Sequence, residues 1–169
     1  MPSDLISDPV LYGECLSGAL YWGDFGRIAK EAGFIDPRTV DHRRLGIVDP
    51  ALKDKLGSIR FASVTARLIK LDGLETACED YGQAVIYKGG IAGMEQVFAL
   101  DAEHHIEAGR VFPVCGNTLA MLKQTRFSPF FDVVGDGATH YGLFPGCAAP
   151  DVFADATDAA PASPGGCCG

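Results

Sequence analysis

The sequence is short of basic residues: 14 Lys and Arg stand against 22 Asp and Glu, and the formal net charge is −8. Binding to nucleic acid or to anionic lipid needs a basic surface, so this charge argues against both partners. No apolar run approaches the roughly 18 residues of a membrane span. The first residues, MPSDLISDP, lack the charged and apolar regions of a signal peptide. These absences predict a cytoplasmic protein that has neither nucleic acid nor a membrane as its partner.

A CxxC pair is also absent, although the chain has six cysteines. A structural zinc site of the usual spacing is therefore not expected. In a reducing compartment the cysteines are thiols, so metal binding or redox chemistry explains them before disulfides do. Taken singly, Cys78, Cys115 and Cys147 are interpreted as small buried hydrophobes, and any further role for them stays open.

The four histidines do not predict a metal site. His104 and His105 are neighbours on a predicted strand, so their side chains point to opposite faces. His42 and His140 are isolated in the sequence. All four are assigned to surface or loop positions.

The pattern from Asp8 to Leu20 predicts a helix with Asp8 as its N-cap and Pro9 at its first position. Apolar residues recur at intervals of three or four and share one face, namely Leu11, Cys15, Ala19 and Trp22. Gly13 and Gly18 each weaken such a helix by about 1 kcal/mol relative to alanine. This cost indicates a close approach to the backbone, either by a ligand or by a packed segment. A second helix is expected from Phe25 to Ala32.

The remainder predicts an α+β fold: N-terminal helices, then a mostly antiparallel sheet with one late helix and a disordered C-terminal tail. The segment QAVIYKGGIAGMEQVFALD (83–101) is interpreted as a hairpin with a glycine loop. From Ala148 onward the residues are largely Ala, Pro, Asp, Ser and Gly, which cannot bury enough apolar surface to fold. The other predicted strands are RTVDHRRLGIV (38–48), IRFASVTARLIKL (59–71), RVFPVCG (110–116) and FFDVV (130–134), and the other predicted helices are 50–56 and TLAMLKQTRF (118–127).

Five blocks occur in an order that is similar to the C-terminal half of arsenite methyltransferases. They are LYGECLSGALYWGDF, RFASVTARLIKL, QAVIYKGGIAGMEQVFALD, VCGNTLAMLKQTRF and GGCCG. Enzymes of that family use S-adenosylmethionine to methylate trivalent arsenic. The resemblance covers residues 2–144 and the terminal thiol pair.

The resemblance implies that Cys15 is one of the thiolates that bind the arsenic atom. Gly13, Glu14 and Gly18 would line that site, with the glycines leaving room for a large atom. Cys167 and Cys168 are expected to capture arsenite, or its thiol adducts, on the flexible tail.

The complete enzymes of that family also have a doubly wound domain that binds the methyl donor, and its glycine-rich fingerprint is missing here. The resemblance therefore divides the chain into the end of the methyltransferase domain (1–72), a C-terminal antiparallel α+β domain (83–147) and a tail (148–169). The chain alone is expected to bind no cofactor and to be inactive. S-adenosylmethionine and a thiol reductant belong to the complete enzyme, for which a separate donor-binding portion would be the partner.

A split enzyme or a truncated reading frame would explain this arrangement. The alternative is a stand-alone protein that binds arsenic or a heavy metal through thiols without catalysis.

Overall fold

The structure is a computed structural model that describes residues 1–147 and 150–154. It is an α+β fold, as predicted, with short helices near the N-terminus, antiparallel strand pairs and one late helix. The α-helices are α1 (Ser3–Ile6), α2 (Pro9–Gly13), α3 (Trp22–Glu31), α4 (Pro50–Leu56) and α5 (Gly116–Lys123), and Ser128–Phe130 is a 3₁₀-helix. The strands are β1 (Arg38–Leu45), β2 (Phe61–Arg67), β3 (Glu79–Asp80), β4 (Ala84–Tyr87), β5 (Val97–Ala99), β6 (His105–Glu107), β7 (Val111–Pro113), β8 (Phe131–Val134) and β9 (Gly142–Leu143).

The first part of the chain is built around an antiparallel ribbon of β1 and β2. The helix α4 lies between the two strands in sequence, and it begins at Pro50 because the Asp49 side chain accepts hydrogen bonds from the first turn. Both strands and this helix confirm the prediction. A small apolar cluster holds the ribbon against the N-terminal helices, and its buried members are Leu11, Leu16, Leu56 and Phe61.

The second part contains a three-stranded antiparallel sheet in the order β7-β4-β8 and a separate β5-β6 pair. The hairpin predicted over residues 83–101 is therefore wrong, because β4 and β5 do not pair with each other. The alternation of residues predicted both strands, but it carries no information about their partners. Gly89, Gly90 and Gly93 adopt positive φ angles between the two strands and lead the chain away from β4.

The main core lies beneath this sheet and is centred on three aromatic rings. Tyr87, Phe98 and Phe131 have exposures of 0–1%, and each ring centroid lies 5.1–5.7 Å from the other two. The Tyr87 hydroxyl donates to the carbonyl oxygen of Met94 at 2.8 Å, so its one polar atom is satisfied. The other buried members are Val85 of β4, Ile106 of β6, Met121 and Leu122 of α5, and Leu100 and Val114 in the adjoining loops.

Part of the segment expected to be a tail is described. Val152 is only 1% exposed, and the Phe153 ring lies 5.2 Å from the guanidinium carbon of Arg60. The remaining tail residues, including Cys167 and Cys168, lie outside the described part of the chain. Among residues 1–147 and 150–154, no helix is long and apolar enough to cross a membrane.

Candidate thiol site

Cys15 is exposed and follows the end of α2. The Leu16 N–H donates to the carbonyl oxygen of Leu11 at 2.8 Å, and the Cys15 N–H donates to that of Tyr12 at 3.0 Å. These two bonds define a Schellman motif, in which the left-handed residue is usually glycine. Cys15 occupies that position with a φ of 59°, and it is the only non-glycine residue of the described chain with a positive φ.

The helix predicted from Asp8 to Leu20 is therefore wrong in its length. It stops at Gly13 because Cys15 adopts the left-handed conformation, and Leu16 then turns into the apolar cluster beside Leu11. A left-handed conformation costs an ordinary L-residue roughly 1–2 kcal/mol. Strained backbone conformations of this kind are frequent at functional positions, and here the strained residue has an exposed thiol.

Replacing Cys15 with glycine is expected to raise the free energy of unfolding by up to about 1 kcal/mol. Glycine has no Cβ penalty at this φ, and its greater freedom in the unfolded chain offsets part of the gain. Urea unfolding would measure the difference. Ser7→Gly is the matched control, since Ser7 also follows a helix but has a φ of −92°. A Cys15→Gly protein less stable than the wild type would contradict the strain argument.

The surroundings of Cys15 are open. A Cβ atom built on Gly13 or Gly18 would meet no described atom within 4 Å, and Glu14 is exposed. The other explanation for these destabilising glycines was close packing of another segment. No described residue packs closely against either glycine. Both glycines therefore lie beside open space.

A second group of thiols forms where none was predicted. The Sγ atoms of Cys78, Cys115 and Cys147 all lie within 4.8 Å of one another. Cys115 is fully buried, while Cys78 and Cys147 are partly exposed. Cys115 is buried, as interpreted from the sequence, but Cys78 and Cys147 are only partly buried, and the three thiols lie together; Cys15 is not a member of this group.

Two local structures bring the three cysteines together. β3 and β9 pair antiparallel, and the Phe144 N–H donates to the carbonyl oxygen of Cys78 at 2.8 Å, so the ends of this pair lie side by side. Cys115 is the N-cap residue of α5. The Asn117 side chain, in the first turn of α5, accepts from the Glu75 N–H and donates to the Glu75 carbonyl oxygen, both at 2.8 Å. The loop that carries Cys78 is thereby held against the start of α5.

The cluster favours one thiolate with two thiol neighbours. Hydrogen bonds from Cys147 and Cys78 lower the pKa of the Cys115 thiol well below its ordinary value. The hydrogen bond to Cys115 raises the pKa of Cys78 to about 12. Hydrogen bonds to Cys115 and Cys78 raise the pKa of Cys147 above its ordinary value. The Thr118 hydroxyl oxygen lies 3.3 Å from the Cys115 sulfur, and its donation would stabilise the same thiolate.

Arg38 is the buried cation beside this thiolate. Its Nη2 atom is 4.0 Å from the Cys115 sulfur and 2.7 Å from a carboxylate oxygen of Asp36, and its Nη1 atom is 3.2 Å from Asp101. Burial alone would lower the pKa of Arg38, but Asp36, Cys115 and Asp101 raise it above the ordinary value. Arg38 therefore stays charged between two carboxylates and a thiolate.

A cavity of about 140 Å³ adjoins the sulfur cluster. Cys78 and Cys147 form part of its wall, together with Arg38, Asp101 and His104. His104 lies in the loop before β6, as assigned, but it is 4% exposed and its Nδ1 atom lies 2.8 Å from Asp101, so it is not a surface residue. His140 is exposed, as predicted, and lies 3.0 Å from Glu79.

The stability of the protein is expected to depend on Asp101 in acid. Burial would raise its pKa, but the hydrogen bond from His104 and the charges of His104 and Arg38 lower it to about 2. An unfolded Asp titrates near pH 3.9, so the folded protein binds this proton less tightly than the unfolded chain. The stabilisation, about 2 kcal/mol, is complete above about pH 5 and is lost as the pH falls towards 2.

Urea unfolding of the wild type and of Asp101→Asn across this pH range would measure the effect. The stability advantage of the wild type should shrink between about pH 5 and about pH 2. Asp132→Asn, at an exposed carboxylate, is the control and should show little change. An advantage that persists undiminished at about pH 2 would contradict the assignment.

The chain belongs to the arsenite methyltransferase C-terminal domain family, whose model matches residues 81–169. The chain is 59% identical over 147 residues to an arsenite methyltransferase of Aquipseudomonas alcaligenes, covering 87% of this chain and 42% of that protein. It is 34% identical over 187 residues to the human arsenite methyltransferase, covering all of this chain and 48% of the human one.

A solved structure shows the same fold. The crystal structure of an arsenic (III) S-adenosylmethionine methyltransferase from Chlamydomonas reinhardtii matches with a TM-score of 0.78 and 44% sequence identity. The match covers 85% of this chain and 48% of the algal one. The chain thus spans less than half the length of the relatives that it matches.

Proposed function

We propose that this chain is the C-terminal, arsenic-binding portion of an arsenite methyltransferase. In this proposal it presents thiolate-bound trivalent arsenic to S-adenosylmethionine, which is held by a donor-binding portion supplied from elsewhere. The observation that carries the proposal is Cys15: an exposed thiol kept in a left-handed conformation in which glycine would be more stable.

The chemistry assigned to Cys15 is that of a ligand. Trivalent arsenic is soft and prefers sulfur, and a thiolate on arsenic leaves the arsenic lone pair free to act as the nucleophile. The lone pair forms the new arsenic–carbon bond, and the electrons of the broken carbon–sulfur bond remain on the sulfur of the donor. Arsenic is formally oxidised by two electrons in this step, so a thiol reductant is needed for the next round.

Exposed apolar residues of the N-terminal part favour a partner that would cover them. Tyr12, Tyr21 and Val48 are 74%, 70% and 86% exposed, and β1 and β2 pair only with each other within the described residues. Large apolar side chains and open sheet edges are normally covered in the functional protein. We propose that the donor-binding portion covers some of these residues and an edge of the β1–β2 ribbon.

A chimera tests the proposal. This chain would be joined to the N-terminal portion of the Aquipseudomonas alcaligenes relative, in place of that protein's own C-terminal segment. With arsenite, S-adenosylmethionine and a thiol, the chimera should release methylated arsenic. No product from a folded chimera, under conditions in which the parent relative is active, would count against the proposal.

The isolated chain, in contrast, is expected not to bind S-adenosylmethionine. Calorimetric titration of the donor into the 169-residue chain should show no saturable heat, whereas the chimera should show it. A micromolar dissociation constant for the isolated chain would contradict the assignment of donor binding to the other portion of the enzyme.

A second candidate function is a thiol-based binder of arsenic or heavy metal that works without catalysis. The three-cysteine cluster favours it, because those sulfurs come together within the described chain. The chimera separates the two candidates, since a binder alone gives no methylated product.

Cys167 and Cys168, which lie outside the described residues, are proposed to capture arsenite and pass it to Cys15 by ligand exchange.

A further inference from the structure

We propose that Cys78, Cys115 and Cys147 form a second arsenic site, separate from Cys15, which binds inorganic trivalent arsenic through three sulfur atoms. The proposal rests on the proposed function only in its choice of ion. The site itself follows from the geometry of the three thiols.

The three sulfur atoms lie almost close enough to share one bound atom. Thiolates that bind one ion at about 2.3 Å cannot lie more than about 4.6 Å apart, and three of them in a pyramid lie closer still, whereas the three free Sγ atoms lie within 4.8 Å of one another. Small side-chain rotations therefore suffice to close the site. Cys78 and Cys147 are only half-buried, so an ion can reach them from the adjoining cavity.

The surroundings stabilise the first sulfur that binds. The Cys115 sulfur lies at the N-terminus of α5, 3.3 Å from the Thr118 hydroxyl and 4.0 Å from a guanidinium nitrogen of Arg38. Each of these groups favours a negative sulfur, and a thiolate is the form that attacks arsenic. Cys78 and Cys147 then add by exchange with the remaining hydroxides.

The ligand set favours trivalent arsenic over zinc. Structural zinc sites take four protein ligands, whereas the cluster within residues 1–147 and 150–154 has three. Two further candidates in the cavity wall are occupied: His104 and Asp101 are 2.8 Å from each other, and the other ring nitrogen of His104 is 3.5 Å from Thr118. Trivalent arsenic needs only three sulfurs in a pyramid, and its lone pair can face the cavity.

The net charge of the bound complex also favours trivalent arsenic over zinc. Arg38 already faces Asp36, Asp101 and the cysteine cluster. Three thiolates on As³⁺ form a neutral complex, whereas three thiolates on Zn²⁺ leave a negative charge in a largely buried place that holds two carboxylates. The binding step is balanced without redox change: arsenous acid and three thiols give one arsenic–tris-thiolate and three water molecules.

The test uses the full reduced chain carrying Cys15→Ser, Cys167→Ser and Cys168→Ser, so that only the second site is measured. Titration with arsenite should saturate at one arsenic per chain, and X-ray absorption at the arsenic edge should show three sulfur neighbours. Adding Cys78→Ser or Cys147→Ser should weaken arsenite binding on the order of 100-fold, because one tethered ligand is lost. Phenylarsine oxide, which has only two exchangeable positions, should retain most of its affinity in the same variants.

Circular dichroism and thermal unfolding without arsenite would show that each variant is folded, and Asp132→Asn, at an exposed residue outside the cluster, is the control that should leave binding unchanged. Arsenite binding that is insensitive to both Cys78→Ser and Cys147→Ser would overturn the proposal. Saturable binding of Zn²⁺ with no binding of arsenite would overturn it as well. Failure of the proposed function would appear differently, as a chimera that binds arsenic but releases no methylated product.

Discussion

Replacing Arg38 with methionine is expected to lower the free energy of unfolding by about 3–5 kcal/mol. The guanidinium is buried and contacts carboxylate oxygens of Asp36 and Asp101, the Thr118 hydroxyl and the Cys115 sulfur. Methionine keeps most of the volume but removes the charge, which leaves buried negative groups without their partner. Urea or thermal unfolding near neutral pH would measure the loss.

Arg43→Met is the matched control, since Arg43 lies on the same strand but is exposed. An exposed arginine of this kind contributes about 0–1 kcal/mol. If the two variants lose similar stability, Arg38 does not organise the junction between β1, the β5–β6 turn and α5 that the structure assigns to it.

Replacing Cys15 with serine is expected to reduce methyl transfer by the chimera on the order of 100-fold or more, which corresponds to at least about 2.7 kcal/mol of transition-state stabilisation. The serine hydroxyl is not ionised near neutral pH and is a poor ligand for soft ions, so arsenic is no longer positioned for attack. Initial rates of transfer from radiolabelled S-adenosylmethionine to arsenite would measure the loss.

Ser17→Ala provides a control in the same segment, because Ser17 is buried and its hydroxyl has no hydrogen-bond partner in the described structure. Cys15→Gly adds a second comparison: it should be as inactive as Cys15→Ser while being more stable than the wild type. Full activity of Cys15→Ser in a folded chimera would remove the central residue from the proposed function.

Local patterns in the sequence were sufficient for elements whose start and end are encoded nearby. Helix α4 has Asp49 before it, Pro50 at its first position and Gly57 after it, and the prediction matched it. The strands β1 and β2 were also predicted. The family resemblance identified the family itself, which the family model and the relatives confirm.

The same patterns did not predict contacts between distant residues. Cys78, Cys115 and Cys147 meet only because β3 and β9, of two residues each, pair across the chain and because α5 begins beside them. Strands of two residues have no periodicity to detect. One signal for such a site was present in the sequence, namely several cysteines in a chain that has no CxxC pair. Such cysteines can still act together when the fold places them side by side.

The error at Cys15 has a different cause. The residues from Asp8 to Trp22 satisfy helical spacing, but a Schellman motif depends on the backbone conformation of one residue, and cysteine is not the residue that signals it. The importance of this position was therefore predicted from the resemblance. The structure shows in addition that Cys15 has an unfavourable, left-handed backbone conformation.

The most direct measurement is the amount of arsenic that the reduced 169-residue chain retains after equilibrium dialysis against arsenite. We expect saturable binding of at least one arsenic per chain, and no binding once the thiols have been alkylated with iodoacetamide. A reduced, folded chain that retains no more arsenic than its alkylated control would contradict the claim that this protein binds arsenic through its cysteines.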